Sequence, residues 1–169
     1  MKTDKILKLG NPELYEVSVD VSKEELPLVE QKFWELNDIV LEYRSLYGAG
    51  RAIAAPQIGF MKRLVCMRIN ERPYAIINPV FIDKSDEKII LWDDCMSFPG
   101  LLVKVRRHKS CIIRFKDLNW NDQEWTLEDD LSELIQHEYD HLDGILAVQR
   151  AIDDKSFALV SQKDKINKH

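Results

Sequence analysis

Two histidines four residues apart, with a glutamate directly after the first, are the residues best suited to chemistry in this sequence. They are His137, Glu138 and His141, in the segment Gln-His-Glu-Tyr-Asp-His. Side chains four residues apart lie on one face of a helix, so both imidazoles can bind one metal ion. Glu138 can take a proton from water beside that ion without itself being a ligand. This spacing favours a metal site over a helix that carries polar side chains by chance.

A catalytic metal site usually has three protein ligands, so the sequence must supply one more donor. Downstream of His141 there is no glutamate, and His169 is the last residue. A thiolate upstream is the best soft donor, and Cys95 lies in a polar stretch that ends in Pro-Gly. Cys66 and Cys111 lie among Val, Ile and Leu and are predicted to be buried core thiols. Four downstream carboxylates remain as other possible donors: Asp143, Asp153, Asp154 and Asp164.

A third segment, residues 50–59, combines small residues with one amide side chain, that of Gln57. Small residues let another backbone come close. The amide of Gln57 can donate a hydrogen bond to a developing oxyanion. Taken alone, the segment is equally consistent with an ordinary loop.

Two helices frame the stretch that carries these residues. Apolar residues recur with alternating gaps of four and three between Leu26 and Tyr47, which predicts an amphipathic helix that starts near Pro27 and ends at Gly48. A second helix is predicted from about Glu128 to Asp143, with an acidic first turn that suits the helix dipole. This second helix carries both histidines.

The residues between the helices are predicted to form short strands, because they are rich in Val and Ile and are separated by turn residues. A hairpin turn is predicted at residues 119–122, and the tail after Arg150 has no clear pattern. Strands followed by a late helix indicate an α+β fold, with antiparallel sheets packed around the central helix that carries the His-Glu-x-x-His motif. The predicted strands are Arg63–Ile69, Tyr74–Asn78, Lys88–Leu91, Leu102–Val105, Ser110–Lys116 and Glu124–Leu127.

Length and composition fit one globular domain over residues 1–169, with 45% hydrophobic and 31% charged residues. A net charge of −5 does not favour a nucleic-acid-binding surface. No apolar run approaches the roughly 18 residues of a membrane span, and no signal peptide is recognisable. Three widely spaced cysteines are not a disulfide framework and fit the reducing cytoplasm. We expect a cytoplasmic monomer with no membrane or nucleic-acid partner.

Taken together and in this order, the three segments resemble the motifs of peptide deformylases. That family has Gly-x-Gly-Leu-Ala-Ala-Pro-Gln, Glu-Gly-Cys-Leu-Ser and Gln-His-Glu-x-Asp-His-Leu. The third motif is complete here as residues 136–142, and the opening residues 6–14 are also similar to the usual start of the family. The resemblance runs from about Ile6 to Gln149.

The resemblance implies removal of the formyl group from N-formylmethionine at the start of newly made bacterial-type proteins, with nascent chains at the ribosome as the source of substrate. It implies one divalent metal ion, natively Fe²⁺, which Zn²⁺, Ni²⁺ or Co²⁺ can replace. The matching metal ligands are Cys95, His137 and His141, and Glu138 matches the catalytic acid/base. The donors that hold the formyl oxygen are matched by Gln57 and by the backbone N–H of Met96.

Two departures from the family motifs fall where the resemblance places the peptide substrate. Ala52 replaces the second glycine of the first motif after Gly50, and Asp94 replaces the glycine of the second. The family binds its peptide like an added strand between these segments. Asp94 is therefore expected to hinder the approach of the peptide. Arg107 falls where the family has an arginine near the substrate, although a solvated charge on a strand would look the same.

Three other functions remain open from the sequence. One is hydrolysis of a different N-acyl substrate, which the charge of Asp94 would favour. Another is an ordinary zinc protease, which the Cys95 segment and the missing downstream ligand disfavour. The last is a binding module without activity, which Glu138 and Gln57 disfavour because neither is needed to hold a metal.

Overall fold

The computed structural model describes residues 1–166 of the chain, and His169 lies outside them. Three helices accompany eight strands in this part of the chain. The helices are α1 (Leu26–Tyr47), α2 (Asp129–Leu142) and the short α3 (Lys163–Ile166). The strands are β1 (Ala52–Ala54), β2 (Leu64–Ile69), β3 (Arg72–Lys84), β4 (Lys88–Asp93), β5 (Leu101–His108), β6 (Ser110–Lys116), β7 (Asp122–Glu128) and β8 (Phe157–Leu159).

The strands form two antiparallel sheets. Five strands pair in the order β1-β2-β3-β6-β7, and three in the order β4-β5-β8. None of the helices described is long and apolar enough to cross a bilayer. The expected α+β class with antiparallel sheets is confirmed.

The two long helices pack on opposite faces of the five-stranded sheet, as the alternation along β2 shows. Leu64 and Cys66 face the core shared with α1, whereas Val65 and Met67 face the core shared with α2. Successive side chains of a strand point to opposite faces, so a strand covered on both sides reads as a continuous apolar run. Cys66 and Cys111 are buried in these cores, as predicted.

Helix α2 is also tied to the second sheet by the side chain of Gln136. Its Nε2 donates to the backbone oxygen of His108 at 2.8 Å, and its Oε1 accepts from the N–H of His108 at 2.9 Å. The backbone N–H and C=O of His108, at the end of β5, are therefore both hydrogen-bonded by one side-chain amide. This holds α2 between the sheets, which is the central position expected for the motif helix.

The observed elements match the predicted ones where the apolar pattern is strong. Helix α1 has the predicted limits, and Gly48 ends it with φ 72°. Strand β3 runs well past the predicted end at Asn78, through irregularities in its register. Asn78 has φ 50°, and its side chain forms hydrogen bonds with the backbone of Val21. Asparagine often indicates a turn, but at this position it bends a strand that continues.

The end of α2 depends on a glycine. Gly144 has φ 72°, and a Cβ atom built on it would lie 2.4 Å from the backbone oxygen of Tyr15. Gly48 has the same φ of 72° but open space around the corresponding position. Alanine substitutions at these two glycines therefore distinguish the cost of backbone strain, which both share, from the cost of a steric clash, which only Gly144 has.

Gly144→Ala is expected to destabilise the protein more than Gly48→Ala does. A non-glycine residue in the left-handed region costs about 1–3 kcal/mol, and overpacking adds about 1–3 kcal/mol at Gly144 alone. Urea unfolding of the two variants and the parent measures both costs. Equal losses of unfolding free energy would show that the Tyr15 backbone moves aside freely.

Candidate active site

The donor atoms of Cys95, His137 and His141 converge on one point in the interior. The Sγ atom of Cys95 lies 3.4 Å from Nε2 of His141, which lies 3.2 Å from Nε2 of His137. All three donor atoms lie within 4.8 Å of one another. Such separations suit neighbouring ligands of one small ion with bonds of about 2.0–2.3 Å. The donor set therefore fits a divalent metal ion.

Local structure explains how each of these three candidate ligands is placed. The two histidines are four residues apart on α2, with rings at 5.0 Å, so they share one helix face. Cys95 lies in the turn that follows β4, where the N–H of Phe98 bonds the oxygen of Cys95 at 3.1 Å. The N–H of Ser97 also points to the Cys95 sulfur at 3.4 Å. This contact holds the sulfur atom in the turn, where it meets the imidazole of His141.

Asp93, two residues before Cys95, fixes the ring of His137. Its Oδ2 lies 2.8 Å from Nδ1 of His137 and 3.1 Å from the guanidinium of Arg107. A hydrogen bond at Nδ1 leaves Nε2 free to bind the metal. Burial opposes the ionised form of Asp93, yet His137 and Arg107 hold the pKa of this carboxyl below its ordinary value. Asp93 thus remains a carboxylate in the interior.

The two imidazoles have opposite pKa shifts. Burial lowers the pKa of His141 well below its ordinary value, and nearby His137 lowers it further. Burial also opposes the charge of His137, but the neighbouring Asp93 and Cys95 raise its pKa well above the ordinary value. The negative groups that raise the pKa of His137 would also stabilise a metal cation bound between Cys95, His137 and His141.

Asp93→Asn is expected to weaken metal binding by about 10- to 100-fold, because partners behind a ligating histidine orient it and raise its basicity. Asparagine keeps the size of the side chain but removes its charge. Competition with a chromogenic chelator gives the metal affinity directly, and circular dichroism checks the fold. An affinity equal to that of the parent would show that Asp93 serves the packing of Arg107 alone.

Glu138 lies beside the ligands and is almost completely enclosed. The residue is only 4% exposed, and burial raises the pKa of its carboxyl group to about 7. Its Oε2 atom is buried and has no hydrogen-bond partner within residues 1–166. A buried polar atom of this kind costs free energy unless another group satisfies it. A water molecule or substrate atom at the metal position would do so.

Gln57 lies beside Cys95, in the 3₁₀ turn Ala55–Ile58 that follows β1. Its Oε1 accepts from the N–H of Ala54 at 2.9 Å, which fixes the orientation of the amide. Nε2 therefore faces the site, 3.0 Å from Oγ of Ser97 and 3.6 Å from the Cys95 sulfur. The amide is in place as a donor next to the ligands.

A cleft of about 190 Å³ opens onto Cys95, His137 and Glu138. Segments 49–52 and 93–96 line it together with residues from the middle of α2, namely Glu133, Leu134, His137 and Glu138. Gly50 has φ 132°, and a Cβ there would meet the end of the Met96 side chain at 2.9 Å, so a larger residue is strained. Gly50, Ala52, Asp94 and Met96 all border this cleft, and the side chain of Asp94 is exposed at it.

The structure places Arg107 elsewhere, which corrects the expectation of a substrate contact. Arg107 does not border the cleft; it is 4% exposed and lies behind His137. Its guanidinium pairs with Asp93 at 3.1 Å and with Asp140 at 2.7 Å. A solvated charge is equally wrong, because both partners are buried. The side chain holds Asp93 and α2 together.

Sequence reasoning missed three other residues at the site. Ser97 holds the amide of Gln57, and Arg51 pairs with Glu133 on the cleft wall at 2.8 Å. Glu133 precedes His137 by four residues, so the helix spacing that identified His141 also predicts that Glu133 shares the same face. Nothing in the sequence indicates that Arg51, the residue directly before β1, meets it.

A thiolate, two imidazoles, an enclosed carboxylate and an amide donor around one cleft define a metal-dependent hydrolase. The sequence profile of the polypeptide deformylase family matches residues 3–157. The chain belongs to this family.

Individual relatives are similar over nearly their whole length. The peptide deformylase of Dictyoglomus thermophilum is 31% identical over 150 residues, covering 88% of this chain and 93% of the relative. That of Leptospira biflexa is 33% identical over 179 residues, covering 99% and 98%.

Solved structures agree in fold. The peptide deformylase from Thermotoga maritima superposes with a TM-score of 0.80 at 28% identity, over 88% of this chain and 97% of that one. A class I type b peptide deformylase from Acinetobacter baumannii with Met-Ala-Ser bound gives 0.78 at 26% identity, over 86% and 96%.

Proposed function

We propose that this chain hydrolyses the N-terminal formyl amide of formylmethionyl polypeptides, giving formate and a free amine. Family membership supports the reaction, and Glu138 is the observation that carries it. A buried carboxylate with a pKa of about 7 and an unsatisfied oxygen is suited to proton transfer at neutral pH. A protein that only held a metal would have no use for it.

Cys95, His137 and His141 would hold one divalent ion, which when bound would supply Lewis-acid activation of water and of the formyl carbonyl. We infer Fe²⁺ as the native ion, with Zn²⁺, Ni²⁺ or Co²⁺ as replacements. Mixed thiolate and imidazole donors suit all four metals, since such donors bind later first-row divalent ions well.

Glu138 takes a proton from the attacking water and later gives it to the leaving amine nitrogen. A bond between the water oxygen and the formyl carbon forms, and the bond from that carbon to nitrogen breaks. Burial raises the pKa of Glu138 to about 7, which suits a group that must both accept and return a proton near neutral pH.

Gln57 and the backbone N–H of Met96 stabilise the oxygen of the tetrahedral intermediate. The fixed amide of Gln57 supports this role because a preorganised donor needs no reorientation during the reaction. No hydrogen bond engages the Met96 N–H within the described part of the chain, which leaves it available. Loss of one such donor typically costs about 100- to 1,000-fold in kcat.

We also infer that one domain over residues 1–169 acts as a monomer on nascent chains in the cytoplasm. The match to the family profile extends over residues 3–157, and α2 contacts both sheets, which supports one domain. Size-exclusion chromatography with light scattering tests the oligomeric state.

Release of formate from formyl-Met-Ala-Ser tests the proposed reaction. The protein is purified without oxygen and loaded with Fe²⁺ or Ni²⁺, and formate is followed with formate dehydrogenase. Steady turnover that stops on chelation supports the proposal. Metal-loaded, folded protein without turnover on any formyl peptide would overturn it.

Asp94→Gly is expected to raise kcat/KM for formyl-Met-Ala-Ser. An exposed carboxylate at the cleft hinders a peptide that must pair with this segment, and each restored backbone hydrogen bond is worth roughly 2- to 13-fold. Steady-state kinetics of the two proteins with the same metal measure the effect. A fall in kcat/KM would show that Asp94 helps to bind the substrate.

A further inference from the structure

An ion pair between Arg51 and Glu133 lines the cleft. Glu133 lies one helical turn before His137, and its side chain is 10% exposed. Its Oε1 accepts from Arg51 at 2.8 Å, and Arg51 also approaches Asp130 at 3.3 Å. No described residue donates to the second oxygen of Glu133, which leaves it free to accept a further hydrogen bond.

The geometry places this pair beside the part of the substrate that follows the formyl group. The scissile amide must lie within reach of Glu138 and Gln57, which both line the cleft. A formyl group has no side chain, so it fills little of the 190 Å³. The remaining wall, including Glu133 and Arg51, therefore contacts the amine side of the substrate, and its first side chain above all.

The charged side chains that line this part of the cleft carry more negative than positive charge. Asp93 is neutralised by Arg107, and Glu138 acts on the scissile amide. Arg51 remains as the positive charge against Glu133 and Asp94. A purely apolar side chain would take water from these carboxylates and return no hydrogen bond, which is unfavourable. An ammonium or amide group at the end of the side chain would return one.

Resting on the proposed formyl-amide hydrolysis, we propose that Glu133 makes this cleft selective for formyl peptides whose first side chain carries a hydrogen-bond donor, such as lysine or glutamine. Formylmethionyl peptides remain substrates, but peptides with such a donor have a higher kcat/KM than those with an apolar side chain of similar length, methionine or norleucine. Glu133 is thus a specificity-determining residue of the reaction.

The test compares formyl-Lys-Ala-Ser with formyl-Nle-Ala-Ser, and formyl-Gln-Ala-Ser with formyl-Met-Ala-Ser, using Ni²⁺-loaded protein. The parent should prefer the lysine peptide in kcat/KM by roughly 10- to 100-fold, the usual range for one hydrogen bond to a charged group. Glu133→Leu should remove most of this preference. Glu133→Gln, which keeps the shape and an acceptor, should reduce the lysine preference and retain that for glutamine.

Asp130→Asn is the matched control, because Asp130 also faces Arg51 but is 75% exposed and outside the cleft. It should leave both preferences unchanged. Thermal unfolding checks that the Glu133 variants fold; Arg51 is 39% exposed, so losing its partner leaves a solvated charge.

Calorimetric binding of the same peptides to Ni²⁺-loaded Glu138→Ala separates this proposal from the proposed function. If this protein binds the lysine peptide selectively, and the added substitution Glu133→Leu abolishes that selectivity, the role of Glu133 is supported even if no peptide is hydrolysed. Equal affinities, or preference for norleucine, overturn the role of Glu133 even if formylmethionyl peptides are turned over.

Discussion

Replacement of Glu138 by alanine is expected to lower kcat for formate release by about 100- to 10,000-fold, the usual contribution of a positioned acid/base. Metal content should stay at the level of the parent, because the ligand set is complete without this carboxylate. The reason lies in the enclosure of Glu138, which raises its pKa to about 7 and leaves one oxygen unsatisfied. Steady-state kinetics and elemental analysis of the same preparation give both quantities.

Two further variants make this prediction specific. Glu138→Gln keeps the shape of the side chain but cannot accept a proton, so it should be as inactive as the alanine variant. Glu30→Ala removes an exposed carboxylate of α1 and should have no effect. Turnover of Glu138→Gln within a few-fold of the parent would rule out proton transfer by this residue.

Loss of any one ligand is expected to abolish stoichiometric metal binding. Cys95→Ser, His137→Ala and His141→Ala each leave two donors of a site that needs three. In the parent, metal at 100 times its Kd should stabilise the fold by about 2.7 kcal/mol, which for a domain of this size is roughly 5–11 °C in Tm. The three variants should show almost no such shift.

Matched controls come from the other cysteines and from another histidine. Cys66→Ala and Cys111→Ala remove buried thiols, whose pKa values burial raises, to about 12 in the case of Cys66. His108→Gln removes an imidazole that bonds the backbone oxygen of Ser85 and is not part of the Cys95, His137 and His141 cluster. All three should bind one metal per chain. Full metal occupancy in two of the ligand variants would exclude this site.

The parts of the fold that the sequence predicts well are those with a single strong pattern. Helix α1 follows from its apolar face, and α2 from its acidic start and Gly144. The convergence of Cys95, His137 and His141 follows from helical spacing together with the motif resemblance. Each of these inferences uses residues near one another in the chain, where local geometry decides the outcome.

Long-range pairing could not be predicted in the same way. Arg107 resembles a solvated strand charge until Asp93 and Asp140 are brought against it from β4 and α2. The ion pair of Arg51 with Glu133 joins residues 82 positions apart. Sequence spacing carries no information on such contacts, because tertiary packing alone decides which charges meet.

The same limit explains the short strands that were missed. Strand β1 has three residues and β8 another three, too few for a period to be recognised. Both exist because a longer strand offers its edge, β2 to the first and β5 to the second. The tail after Arg150 is thereby attached to the second sheet.

Titration of metal-free protein with Ni²⁺, followed by formate release from formyl-Met-Ala-Ser, tests most directly whether one metal at this site drives the hydrolysis. Activity should rise linearly and break at about one equivalent in the parent, while His137→Ala and Glu138→Ala stay flat. Formate release that persists in the metal-free parent, or an equal rise in His137→Ala, would contradict the account.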